Sequence, residues 1–73
     1  MRRLSFKEKQ ELEGLLEVIE AAEAEVASLE ATLADPATYT NGTDIGAVTA
    51  AHEAGQAKVE ALYERWEELS ERA

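Results

Sequence analysis

From Leu12 onward, apolar residues recur at alternating steps of three and four: Leu12, Leu15, Ile19, Ala22, Val26, Leu29 and Leu33. A second set keeps the same rhythm through Ile45, Val48, His52, Gly55, Val59, Leu62, Trp66 and Leu69. Glutamate and alanine fill most positions between them. This is the heptad spacing that holds one apolar stripe against a facing helix. The rhythm lapses only in "ADPATYTNGTD", which holds the one proline of the chain and the Asn41-Gly42 pair. The pattern therefore predicts a helix over about 5–34, a turn over about 35–43 and a helix over about 44–72. Two such helices fold back on each other with seam against seam. The expected fold is all-α, a two-helix antiparallel coiled-coil hairpin, with residues 1–73 as a single domain.

The boundaries have local chemistry behind them. Ser5 followed by Glu8 forms an S-x-x-E capping box for the first helix. Asp35-Pro36 ends it, because a residue before proline is pushed away from helical dihedrals. Thr43 or Asp44 is the expected N-cap of the second helix, just after the Asn41-Gly42 turn signal. Each helix spans roughly 45 Å at ~1.5 Å per residue. Level ends set Leu12 and Leu15 near Leu62, Trp66 and Leu69, and Leu33 near Ile45 and Val48. Spacing leaves the register open by half a heptad. Gly55, which costs roughly 1 kcal/mol against alanine in a helix interior, reads as a close approach to Ala22 or a bend. Tyr63 and Trp66 read as an aromatic lock at the open end, near Phe6. Tyr39 reads as a plug over Leu33 and Ile45, with an exposed recognition tip as the alternative.

Composition narrows the picture. The chain has 73 residues with one Phe, one Trp and two Tyr, and its 45% hydrophobic content is inflated by alanine. It can bury a seam between helices but not a thick core. Such a hairpin either pairs with a second copy or belongs to something larger, so self-association stands as one option. With no cysteine, disulfide, zinc-thiolate and thiol chemistry are excluded. No apolar run reaches the ~20 residues of a membrane span, and "MRRLSFKEKQ" lacks the apolar core of a signal peptide. The expectation is a cytoplasmic chain with no membrane contact.

Candidate chemistry is sparse. His52, the one histidine, has Glu53 and Gln56 for neighbours and reads as a partly wetted seam residue. The glutamates at 8, 11, 13, 17, 20, 23, 25 and 30 read as a solvated helix face. No nucleophile, metal-ligand set or cofactor fingerprint occurs, so the chain reads as a non-enzyme with no cofactor and no metal. The net charge is −9, which by itself argues against a nucleic-acid coat. Distribution changes that reading. In an antiparallel hairpin Arg2, Arg3, Lys7, Lys9, Arg65 and Arg72, six of the seven basic residues, gather at the open end. Glu8, Glu11, Glu64, Glu67, Glu68 and Glu71 are interleaved there. Local salt bridges are one reading of the cluster, and a weak phosphate-facing patch is the other.

"LSFKEKQELEGL", a heptad helix ending in "LADPATY" and a second helix closing in "LYERWEEL" together resemble the C-terminal domain of Uup-like ABC ATPases, soluble members of the F subfamily of ABC proteins. The resemblance covers nearly the whole chain. It rests on the opening LS-x-KE, the DP-x-x-Y turn and the Y-x-RWEEL close in this order. It implies an antiparallel coiled-coil hairpin that follows two ATP-binding cassettes and a basic linker, and a role as a DNA- or nucleic-acid-binding module. No P-loop or signature motif occurs in this chain, so ATP binding would belong to the parent protein. The resemblance leaves two roles: a weak, sequence-independent appendage for DNA or RNA, or a spacer or docking module for the parent's ATPase cassettes or the ribosome.

Overall fold

The computed structural model describes residues 3–73. Helix α1 spans Phe6–Ala34, a 3-10 turn spans Pro36–Tyr39, and helix α2 spans Ile45–Arg72. The two helices lie side by side in a rod of 53 × 16 × 15 Å. Glu11 meets Arg65, Val26 meets Gly55 and Glu30 meets His52, so one helix ascends as the other descends. The all-α helical hairpin is the one the heptad pattern predicts.

Both helices start as their sequences direct. The Ser5 hydroxyl accepts the Glu8 N–H at 3.2 Å, and the Glu8 carboxylate accepts the Ser5 N–H at 3.0 Å, which satisfies donors that a helix start leaves orphaned. Of the two candidate caps for α2, the structure selects Asp44, whose carboxylate accepts the Ala47 N–H at 3.0 Å. Asp35 serves both sides of the break. Its N–H donates to the Thr32 carbonyl, and its carboxylate accepts the Ala37 N–H at 2.9 Å. Gly42 completes the turn at a φ of 84°, in the left-handed region that glycine adopts without a Cβ clash.

The turn corrects one expectation. Tyr39 does not plug the hairpin: it is 59% exposed, and the buried residue is its neighbour Thr38. The physical reason lies at the end of α1, where the last carbonyls have no helical partner. The Thr38 hydroxyl donates to the Thr32 carbonyl, and the Tyr39 phenol donates to the Leu33 carbonyl at 2.6 Å. Holding that bond keeps the ring outside the seam.

Every predicted seam position is buried or half-buried, while the residues between them are mostly exposed. The core is concentrated at the open end. Leu4, Leu15, Ile19 and Leu69 form it, with Leu12, Leu62 and Trp66 packed against them. Leu4 takes the place expected of Phe6, which is 74% exposed. Tyr63 is 40% exposed, with its hydroxyl donating to Glu23 at 3.1 Å. The aromatic lock therefore reduces to Trp66 alone. At the waist, a Cβ on Gly55 would lie 3.0 Å from Val26 Cγ2. The close approach is real, but its partner is Val26 rather than Ala22.

Candidate nucleic-acid interface

Topology brings every basic residue but Lys58 to the open end, and the structure divides the five described ones into two sets. Arg65 projects from α2 toward α1 and grips Glu11 with two hydrogen bonds. Nε donates at 2.6 Å and Nη2 at 2.9 Å. Arg65 Nη1 also lies 3.3 Å from Glu68, and Nη2 lies 3.9 Å from Glu8. Arg72 donates to Glu8 at 2.9 Å and lies 3.6 Å from Glu68. Two arginines and three carboxylates thus bridge the helices beside the Leu15, Ile19 and Leu69 core.

The second set is open. Arg3, Lys7 and Lys9 are exposed and form no ion pair among the described residues. Arg3 and Lys9 line a shallow groove with Arg72, Glu13, Leu4 and Leu12. Arg2, the remaining candidate, lies outside the described residues. The salt-bridge reading therefore holds for Arg65 and Arg72, while Arg3, Lys7 and Lys9 face solvent.

Titration follows this geometry. Glu8 is held down to about 2, first by the Ser5 N–H that it accepts and then by Arg72. Glu11 is lowered by its hydrogen bonds from Arg65, and Arg65 is raised in turn, with Glu11 the main cause. A carboxylate whose folded value lies below the ordinary 4.5 stabilises the fold fully above about 4.5. That stabilisation is lost as pH falls through the folded value. The melting midpoint of the unaltered chain is therefore expected to exceed that of Glu8→Ala by most at neutral pH. The gap should close between about pH 4.5 and about pH 2, as followed by circular dichroism melts. A gap that stays constant through this window would show that the Glu8 charge carries none of the effect.

His52 Nε2 lies 3.1 Å from Glu30 across the seam, with 18% of its side chain exposed, in keeping with a partly wetted seam position. Among the described residues no group of His, Cys, Asp and Glu is placed to hold a metal ion. No helix among them is long and apolar enough to cross a membrane. Leu4 is the buried open-end residue that sequence spacing missed. Its only signal is an apolar residue immediately before the N-cap.

The comparisons with known proteins converge on one family. The family model described as the ABC transporter C-terminal domain matches residues 3–71. An ATP-binding protein Uup-like of Haemophilus influenzae is 39% identical over 71 residues, covering 96% of this chain and 16% of that protein. The ATP-binding protein Uup of the same organism is also 39% identical over 71 residues, covering 96% of this chain and 11% of its own length. The chain thus spans a small fraction of the curated relatives it matches. No solved structure matches it.

Proposed function

The chain belongs to the ABC transporter C-terminal domain family, as the C-terminal domain of an Uup-like ABC-F protein, and from that premise we propose that it is a non-catalytic appendage whose open end makes weak, sequence-independent contact with nucleic-acid phosphates. The observation that carries this reading is the set of exposed cations Arg3, Lys7 and Lys9, free of ion pairs among the described residues. Lys7 and Lys9 stand in the first turn of α1, where the helix dipole also favours an anion. Arg2 extends the same stretch of sequence. Phosphate contacts of this kind position a protein on nucleic acid without reading its bases. ATP binding and hydrolysis belong, in this reading, to the remainder of the full-length protein, as the names of the relatives suggest.

The affinity is expected to be modest. The few open cations must act against a net charge of −9, and the glutamate-rich shaft repels a polyanion. Each phosphate neutralised steepens the dependence of log K on log salt by about 0.9 for duplex DNA. Replacing Arg2, Arg3, Lys7 and Lys9 with Gln is expected to leave the helical circular dichroism spectrum intact and to abolish binding. The measurement is anisotropy of labelled duplex DNA and structured RNA at low salt. Binding that survives the four substitutions, or that persists at high salt in the unaltered chain, would contradict the reading.

One observation favours a second reading. The rod is 53 Å long and acidic along its shaft, which suits a spacer or docking arm held against the protein's own ATPase cassettes or the ribosome. Absence of binding to either nucleic acid at low salt would move that reading to the front.

A further inference from the structure

Arg65 is held differently from the open cations and from Arg72. Its guanidinium presents two parallel N–H bonds to Glu11, the same fork that matches a phosphate group. Its side chain is 35% exposed, against 13% for Arg72, so an outside anion can reach it. Ion pairs of such exposure are weak and salt-screened. Glu11 stands one helical turn beyond Lys7, and side chains at that spacing lie about 5–6 Å apart on one face. A phosphate backbone passing over Lys7 therefore runs toward the carboxylate that occupies Arg65.

We propose that Arg65 is a masked phosphate-binding group, occupied in the free hairpin by Glu11 and Glu68, which stand in for the phosphates that replace them when nucleic acid binds. The proposal rests on the nucleic-acid reading above and adds regulation to that site. The two carboxylates set the affinity of the open end, whereas Arg72, more deeply placed against Glu8 and Glu68, remains structural. Removal of the mask raises affinity through one additional cation, not merely through a less negative chain.

The test compares two variants of the 73-residue chain with the same net charge. Glu11→Ala with Glu68→Ala removes the two carboxylates nearest Arg65 and leaves Glu8, 3.9 Å from Nη2. Glu64→Ala with Glu67→Ala removes two exposed neighbours that form no ion pair among the described residues. Anisotropy titrations of labelled duplex DNA are run across a salt series, with circular dichroism to verify the helix. The unmasked variant is expected to bind about threefold or more tighter than the charge-matched one, with a salt slope steeper by about 1. Adding Arg65→Gln to the unmasked variant is expected to remove that gain. If the unmasked variant loses its helical spectrum, Glu11→Gln, which keeps the side-chain size, is compared with Glu64→Gln in the same way. Equal binding by the matched variants overturns the mask while the open-end reading stands. Binding by the unmasked variant alone supports the mask and confines contact to Arg65. No binding by any chain overturns both.

Discussion

Ile19→Ala and Leu69→Ala are each expected to cost about 2–5 kcal/mol, the usual loss for truncating a large aliphatic side chain in a core. Ile19 is 2% exposed and Leu69 fully buried, and both belong to the buried apolar cluster at the open end. A small domain typically has about 0.05–0.15 kcal/mol of stability per residue, and a two-helix rod with so few buried side chains belongs at the low end of that range. Either substitution is therefore expected to leave much of the chain unfolded at room temperature. Far-UV circular dichroism through a urea titration measures it. The corresponding truncations of half-buried Leu33 or Ile45 at the turn are expected to cost less. Equal costs at the two ends would mean that the seam, not the open-end cluster, carries the stability.

Gly55→Leu is expected to destabilise the hairpin by about 1–3 kcal/mol, the common range for overpacking. Helix propensity alone points the other way, favouring leucine over glycine by roughly 1 kcal/mol. Packing decides the sign. Even a Cβ at Gly55 would sit 3.0 Å from Val26 Cγ2, and Val26 is β-branched and stiff within a helix, so a leucine must move the helices apart. Adding Val26→Ala is expected to recover part of the loss, with a coupling of about 0.5–3 kcal/mol in a double-mutant cycle. A higher melting midpoint for Gly55→Leu would show that the helices yield at the waist without cost.

Three departures from the sequence reading concern large side chains. Tyr39, Phe6 and Tyr63 are large and apolar enough to be assigned to the interior, yet each is exposed. Tyr39 and Tyr63 have hydroxyls committed to partners outside the seam: the Leu33 carbonyl and the Glu23 carboxylate. Leu4, before the first cap, and Thr38, inside the turn, are the residues buried instead. Neither sits on the heptad rhythm, so periodicity carries no information about them. The candidate site shows the same limit. Topology placed the basic residues at one end, but which of them face solvent depends on which carboxylates stand opposite.

Sequence by itself determined the helices, their break, the capping box and the set of seam residues, because these depend on contacts within a few positions or on a repeat along the chain. It also carried enough of the opening, turn and closing motifs to indicate the family. Only the tertiary structure decided the register, which sets Glu11 against Arg65, Val26 against Gly55 and Glu8 against Arg72. A heptad repeat is nearly the same after a shift by one repeat, so a stripe alone cannot specify its own alignment. Turn length, a glycine that admits a valine, and ion pairs between residues far apart in sequence select one alignment. That same choice leaves Arg3, Lys7 and Lys9 facing solvent while Arg65 and Arg72 are paired across the helices.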